Sequence, residues 1–222
     1  MENLQITFMI DGGGVHHETY DPIHLDSLIG WVVANREGRE APSRDEEPLE
    51  LDLPIDKWYI GGHWGWKASA IFPVDAAGES LRFIRKRIEQ SRLQITSDCS
   101  FSMAGGEYAA KNMPISIKLM RSMVAYVRGD KPVISNILND VKYIGKYNSN
   151  GVGRVTGIEV EAIDKDYSMV KDGLAMRHLP MLSAESDIST IFKRCRTRPP
   201  YWNNHGRIPV CDVGDKYAIT TD

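Results

Sequence analysis

The stretch DKPVISNILNDVKYIGKYNSNGVGRVTGIEVEAI, residues Asp130–Ile163, decides the fold of this 222-residue chain. Asp130 can cap a helix, and Pro132 is tolerated in the first helical turn. From Ile158 the apolar period changes to two and acidic residues occupy the other face, which predicts a strand with one side in water. Before that, apolar residues recur at helical spacing and predict a helix with one buried face, at Val133, Ile134, Ile137, Leu138 and Val141.

A glycine-rich loop joins this helix to this strand. Three glycines within nine residues allow positive φ angles or a close backbone approach. The order helix, loop, strand is the reverse of the order in nucleotide-binding motifs, so the loop does not indicate a nucleotide cofactor. On spacing alone it is a flexible turn, but its side chains suit phosphates and bases. The candidate RNA-binding residues here are Gly145, Lys146, Tyr147, Asn148, Gly151, Gly153 and Arg154.

Four segments carry a resemblance to a known family. The helix followed by Ile144-Gly-Lys146 and then Gly151-Val-Gly-Arg-Val155 resembles the glycine-rich loop of the RAMP superfamily of CRISPR proteins. Pro22–Ile29 (PIHLDSLI) resembles the first helix of the Cas-five-like subunit of type IV CRISPR effector complexes. Gly106–Pro114 (GEYAAKNMP), with one extra residue before Lys111, and Arg198–Trp202 (RPPYW) resemble two further motifs of that subunit. Together they cover about half of the chain.

The resemblance implies a fold and a function. The fold would be α+β, a ferredoxin-like (RRM-like) βαββαβ domain over residues 1–163, with a thumb-like insertion at about 73–113 and a C-terminal extension over 164–222. The function would be to bind the 5′ handle of guide RNA (crRNA) and to cap the filament of backbone (Cas-seven-like) subunits. Further partners would be the large subunit, the helicase of the system, and target DNA near its protospacer-adjacent motif.

The order of elements predicted from the residues agrees with that fold. Leu4, Ile6, Phe8 and Ile10 alternate as a strand that ends at Asp11–Gly14. Asp21-Pro22 predicts the start of a helix that Gly38 ends. A second strand is expected near Trp58, and a long third strand covers 115–127, with a bulge at Arg121. A short helix is expected over 188–195, in an otherwise irregular extension.

Charge is distributed unevenly although the net charge is only −3. Residues 36–56 carry eight acids and three bases, and we interpret them as an exposed loop that faces away from RNA. Local basic stripes make the electrostatic footprint for phosphates, although each is also compatible with an ordinary solvated face. The first basic stripe predicts a projecting arm formed by Arg82, Arg85, Lys86 and Arg87. The second basic stripe is residues 193–198.

Aromatic residues cluster in two places. Residues 58–72 contain a tryptophan- and glycine-rich segment that is either a core strand and turn or a platform for unpaired bases. The cluster at 196–202 is either a packed tail or an RNA or partner contact. The remaining candidate RNA-binding residues are His24, His63, Trp64, Trp66, Lys67, Lys111, Arg198, Tyr201 and Trp202.

Several classes of function are disfavoured. No apolar run reaches a membrane span, and neither a signal peptide nor a disulfide framework is visible, so a reducing cytoplasm is expected. Cys99, Cys195 and Cys211 lack the spacing of a metal site, so no metal and no cofactor are expected. We expect no enzymatic activity. The alternative is a RAMP-type endoribonuclease that processes precursor crRNA with His24, and a third reading is a protein-interaction module.

Overall fold

A computed structural model describes residues 1–11, 14–16, 22–40, 42–86, 111–181 and 193–217. The chain is α+β and its sheets are antiparallel, with two α-helices in the described ranges. The elements in chain order are β1 (Glu2–Ile10), α1 (Leu25–Arg36), β2 (Lys57–Ile60), β3 (His63–Trp66), β4 (Phe72–Pro73), β5 (Gly78–Lys86), β6 (Lys111–Leu119), β7 (Ser122–Gly129), α2 (Lys131–Leu138), a 3-10 turn (Asn148–Asn150), β8 (Val155–Ala162), β9 (Val170–Lys171), β10 (Leu174–Ala175), β11 (Leu179–Pro180), β12 (Lys193–Cys195) and β13 (Ile208–Cys211).

The central sheet has four strands in the order β4–β7–β1–β8. Strand β1 pairs antiparallel with β7 on one side and with β8 on the other. Its predicted alternation is confirmed, since Leu4, Ile6 and Phe8 are fully buried. These side chains form one core with the apolar faces of α1 and α2. The two helices therefore complete a compact unit with the sheet.

Helix α1 begins later than predicted. Its N-cap is His24, and Asp21 lies outside the described residues. The reason is that residues 23–24 remain extended: the Ile71 amide donates to the Ile23 carbonyl, and His24 forms a bridge to Ala70. The predicted end is confirmed, because Gly38 has φ +65° just after the C-cap.

Helix α2 follows its prediction closely. The Asp130 carboxylate accepts a hydrogen bond from the Val133 amide at 3.1 Å, and Pro132 lies in the first turn. Ile134, Ile137, Leu138 and Val141 are buried. Val133 is 44% exposed, so its assignment to the buried face was wrong. An eight-residue helix has a narrow contact with the core, and Val133 falls outside it.

The second strand of the sheet is not near Trp58, as the sequence predicted, but at Phe72–Pro73. Gly61 and Gly62 both have positive φ and reverse the chain, so that β2 pairs with β3 as a separate hairpin. Trp58 is buried against Ala175, Leu179 and Tyr217 in a second cluster. Phe72, expected in the core, is only half-buried.

Strands β5 and β6 form a separate two-stranded ribbon. β5 lies within the insertion predicted at about 73–113, whereas most of β6 lies beyond it. Arg87, Cys99 and the segment Gly106–Ala110 lie outside the described residues. The long strand predicted over 115–127 is divided between the ribbon and the central sheet, and the break falls at Met120–Arg121 as the polar residue indicated. There the Arg121 carbonyl accepts a hydrogen bond from the Ile10 amide.

The extension after Asp164 is more regular than predicted. Its strands β11, β13 and β12 form a small antiparallel sheet, and β9 and β10 form a two-stranded one. The helix predicted over 188–195 is wrong at its C-terminal end, because Lys193–Cys195 is a strand that pairs with β13. Residues 188–192 lie outside the described ranges. In the described part of the chain, neither helix has the length and apolarity to span a bilayer.

Candidate nucleic-acid interface

Arg177 joins the C-terminal extension to the first half of the chain. It is fully buried, and its guanidinium donates to the carbonyls of Trp66, Ala68 and Thr197. It also donates to the Asp26 carboxylate at 3.2 Å and to the Tyr201 hydroxyl at 2.8 Å. A buried guanidinium needs such partners, since an unpaired buried charge is strongly destabilising.

Asp26 and Tyr201 are the two side chains that pair with the buried Arg177. The Tyr201 hydroxyl donates to the Asp26 carboxylate at 2.8 Å, and the Ser27 amide donates to it at 2.9 Å. Burial raises the pKa of Asp26, while Arg177 and Tyr201 oppose that shift. Burial also raises the pKa of Tyr201 well above its ordinary value, so its hydroxyl keeps the proton that it donates.

A second chain of polar groups runs from His24 to Asp212. His24 Nε2 lies 3.2 Å from His178 Nδ1, and His178 Nε2 lies 2.9 Å from Asp212 Oδ1. If His178 donates to Asp212, its Nδ1 accepts from His24, and His24 Nδ1 is left as a buried acceptor that has no partner among the described residues. The His24 ring also stacks on Tyr201, with ring centroids 4.0 Å apart.

Both histidines are neutral at pH 7. Burial, followed by the charges of His178, Arg177 and Lys193, holds the pKa of His24 well below its usual range. Burial and the nearby Lys193 lower the pKa of His178 to about 4, although Asp212 acts in the opposite direction. The network therefore consists of two neutral rings, one of which pairs with the Asp212 carboxylate, and it fixes the start of α1 against His178 and Asp212 of the extension.

The network brings two sequence motifs together. His24 and Asp26 belong to the segment Pro22–Ile29, and Tyr201 belongs to Arg198–Trp202, which is 175 residues away from Asp26. The cis peptide bond between Pro199 and Pro200 lies in the second segment. Two motifs that are distant in sequence thus form one wall of the molecule.

That wall borders an open cleft of about 660 Å³. The cleft extends from α1 to the start of the glycine-rich loop at Gly145 and to the strands of the extension. Three arginines and no acidic residue are found among its described lining residues, which gives it a positive character. Its lining includes Trp31, Arg44, Arg194, Trp202 and Arg207.

The two tryptophans of the cleft present large apolar surfaces to solvent. Trp31 on α1 is 60% exposed, and Trp202 is 45% exposed. The Arg207 guanidinium donates to the carbonyls of Asn203 and Trp202, which holds it against the backbone of these two residues. Exposed rings beside arginines are groups that bind bases and phosphates.

The glycine-rich loop is tightly folded. Gly153 has φ +73°, its amide donates to the Gly14 carbonyl, and its carbonyl accepts from the Ile144 amide. A Cβ at Gly153 would lie 1.9 Å from the Ile144 oxygen, whereas a Cβ at Gly151 would meet nothing within 4 Å. The close backbone approach that the sequence suggested therefore occurs at Gly153 and not at Gly151.

The loop also has an internal anchor that the sequence did not reveal. Val152 is 1% exposed and packs with Ile115 and Ile117 of the ribbon. Tyr147, which has φ +66°, contacts the His16 ring edge to face at 5.0 Å. The ribbon therefore supplies the loop with an apolar surface that comes from outside the stretch Asp130–Ile163. Lys146, Asn148 and Arg154 remain exposed.

The tryptophan-rich segment is mainly structural. Trp66 is 3% exposed and belongs to the core, which agrees with the core alternative for this segment and leaves little ring surface for a base. Trp64 is half-buried, with the Arg198 guanidinium 4.1 Å from its ring centroid. Lys67 Nζ lies 3.7 Å from the Asp166 carboxylate. Of the aromatic and basic candidates in this hairpin, His63 stays exposed.

Three cationic side chains of the ribbon lie at the surface. Arg82 and Arg85 on β5 and Lys111 on β6 are exposed. Lys86 pairs with Lys111 in the strand register, so the ribbon is most basic near its described end. The ribbon is thus a second positive surface, connected to the glycine-rich loop through the packing of Val152.

Sequence reasoning overlooked three cleft residues and included a fourth, Arg194, only as part of the basic stripe 193–198. Arg44 lies in the acidic stretch that we expected to face away from RNA, and Arg207 was not singled out as a site residue. Trp31 was overlooked although a signal existed, since it lies off the apolar stripe of α1 and a solvent-facing tryptophan on a helix is unusual. The described residues contain no group of three or more histidine, cysteine or acidic side chains that could hold a metal.

The family is shown by comparison with protein-family models. The chain is a Cas-five-like subunit of type IV CRISPR systems. It belongs to the family CRISPR type IV associated protein Csf3, whose model matches residues 2–212. A comparison with curated proteins finds no match.

The close approach at Gly153 gives a first prediction. Gly153→Ala should lower the free energy of unfolding by more than about 3 kcal/mol, because the new Cβ would overlap a backbone oxygen that cannot move away alone. Gly151→Ala is the matched control: it has the same positive φ without an overlap, so it should cost only about 1–2 kcal/mol. Urea unfolding of both variants measures the difference, and equal losses would contradict the assignment.

The neutral histidines give a second prediction. Because the folded pKa of His178 is about 4 and the unfolded value is near 6.5, the unfolded chain binds more protons between these pH values, and stability falls as the pH falls through this window. His178→Asn should make that dependence shallower, by up to about 1.4 kcal/mol per pH unit. Urea unfolding from pH 4.5 to 7.5 measures it, with His63→Asn as the exposed control. An unchanged slope in His178→Asn would be the contrary result.

Proposed function

We propose that this protein binds the 5′ handle of the guide RNA in a type IV CRISPR ribonucleoprotein and caps the filament of backbone subunits. The observation that carries the proposal is the cleft. It gathers the start of the glycine-rich loop, the first turns of α1 and the Tyr201-Trp202 pair around three arginines. Single-stranded RNA is recognised by such a combination of stacking surfaces and cationic groups.

The central sheet supports a ferredoxin-like assignment of the first domain. In a βαββαβ chain the strands are β1, β4, β7 and β8 of this structure, and α1 and α2 are the two connections. The observed order β4–β7–β1–β8 places the first strand beside the third and fourth, all antiparallel. We propose that the ribbon is the thumb-like insertion of this domain and that residues 164–222 are an extension packed on it.

The RNA backbone would follow the positive surfaces. Lys146 and Arg154 flank the glycine-rich loop and are exposed to solvent, as are Arg82, Arg85 and Lys111 on the ribbon. Phosphate contacts of this kind position the RNA without reading its sequence. Sequence choice at the handle would come from stacking and hydrogen bonding in the cleft.

The wider assembly is part of the same proposal. The backbone and large subunits would be its protein partners, target DNA would approach near its protospacer-adjacent motif, and the helicase of the system would act on the complex in the cytoplasm. We further propose that the chain is not an enzyme. His24, the residue that an endoribonuclease would use, lines the cleft but is 2% exposed and stacks on Tyr201, so little of its ring is offered to a ribose hydroxyl.

The test of the proposal is handle-dependent binding. The full chain should bind a guide RNA that has its native 5′ handle more tightly than the same RNA with a scrambled handle, as measured by fluorescence polarisation at physiological salt. Equal affinities would contradict it. Incubation with precursor RNA in the absence of metal should give no product. A product that disappears in His24→Ala would instead favour the endoribonuclease.

The ribbon gives a separate prediction on salt dependence. Replacing both Arg82 and Arg85 with alanine should reduce the slope of log affinity against log salt by about 1.4, since each lost phosphate contact on single-stranded RNA accounts for about 0.7. Arg36→Ala is the control, because that guanidinium is paired with Asp140 at 2.7 Å. A slope that stays at the wild-type value in the double variant would show that the ribbon does not contact RNA.

A further inference from the structure

Two adjoining cavities share the exposed tryptophans. The first is the basic cleft described above. The second is a smaller pocket of about 180 Å³ between α1, residues 42–51 and the Pro199-Pro200 pair. Trp31, Trp202 and Ser27 line both cavities, so the indoles lie at their common boundary. A ligand at this boundary would contact aromatic carbon on one side and guanidinium groups on the other.

The smaller pocket is lined mostly by apolar side chains. Pro42, Leu49, Leu51 and the two prolines form most of its wall, and Arg39 and Asn35 supply polar groups. Its size suits one planar ring system, and it is too small for a folded peptide segment. A pocket that is apolar with a few polar groups is the usual form of a small-ligand site.

The charge of the neighbouring cleft decides which ligand fits. Arg44 and Arg194 are exposed, and Arg207 is fixed beside Trp202 by its two carbonyl contacts. No described lining residue of the cleft is acidic. A ligand with an apolar planar face and an anionic group close to it is therefore favoured, and a nucleotide has both.

We propose that one unpaired base of the bound RNA stacks on Trp31 or Trp202 and enters the smaller pocket, while its phosphates lie on Arg44, Arg194 and Arg207. This inference rests on the proposed RNA-binding function and adds to it a nucleobase site between α1 and the residues 199–202. The buried network of Arg177, Asp26 and Tyr201 holds the two sides of the site at a fixed separation. The base is thus received by a preformed site.

The experiment compares exposed aromatic residues inside and outside the proposed site. Trp31→Ala, Trp202→Ala or both should weaken binding of a labelled 5′-handle RNA by about 5- to 150-fold, the range for loss of one stacked base. Tyr59→Ala is the matched control, since Tyr59 is 74% exposed on β2 and lines neither cavity. Trp31→Phe and Trp202→Phe should keep most of the affinity because phenylalanine still stacks.

A second measurement identifies the base as the occupant. A series of handle RNAs, each with one abasic position, should include one RNA whose affinity falls in wild-type protein but does not fall further in the tryptophan variant. This non-additivity is the sign of a shared contact. If every abasic position weakens the wild type and the variants equally, the base does not lie on these rings.

The outcomes separate this inference from the function on which it rests. If the ribbon variant weakens handle-dependent binding but Trp31→Ala and Trp202→Ala behave like Tyr59→Ala, only the nucleobase site is overturned. Absence of handle-dependent binding in the wild type would overturn both. Thermal unfolding of each variant provides the fold control. If an alanine variant unfolds, Trp31→Gln or Trp202→Gln takes its place, because glutamine removes the stacking ring and keeps a side chain at the surface.

Discussion

The buried guanidinium of Arg177 is the interaction on which the rest of the structure depends. It connects the carbonyls of residues 66 and 68, the carbonyl of Thr197, and the Asp26 and Tyr201 side chains. Removing one partner of such a buried pair costs about 3–5 kcal/mol, because the remaining charge has no water to solvate it. These bonds hold the C-terminal extension against α1. The cleft exists only because the extension is held there.

Local rules predicted the parts of the fold that depend on local chemistry. The cap at Asp130, the alternation of β1 and the glycine stop after α1 each involve residues a few positions apart, and each was confirmed. The second strand of the sheet was misplaced, because the Gly61-Gly62 turn pairs β2 with β3, while Phe72–Pro73 is too short to show a period of its own. Sequence periodicity cannot tell a hairpin from a sheet strand when both are amphipathic.

The candidate site, like the fold, could be predicted from the sequence only in part. The glycine-rich loop and the Tyr201-Trp202 motif could be identified by resemblance, and both border one cleft. The buried network could not be predicted, since a polar motif gives no sign of whether it faces water or a partner distant in sequence. Arg177 and His178 lie in an unremarkable segment, and they become central only because Asp26 and Asp212 meet them.

The packing of Val152 against the ribbon has a mechanical consequence. Because this side chain is sealed between the loop and Ile115 and Ile117, the ribbon cannot pivot away from the central sheet without either carrying the loop with it or exposing apolar surface to water. The loop is also hydrogen-bonded to Gly14, which lies beyond the end of β1 and next to Val15, whose backbone pairs with Lys118 of the ribbon. A force applied to the outer end of the ribbon by a neighbouring molecule is therefore delivered to the backbone at Gly153 by two routes, the Val152 side chain and the paired backbones of Lys118 and Val15.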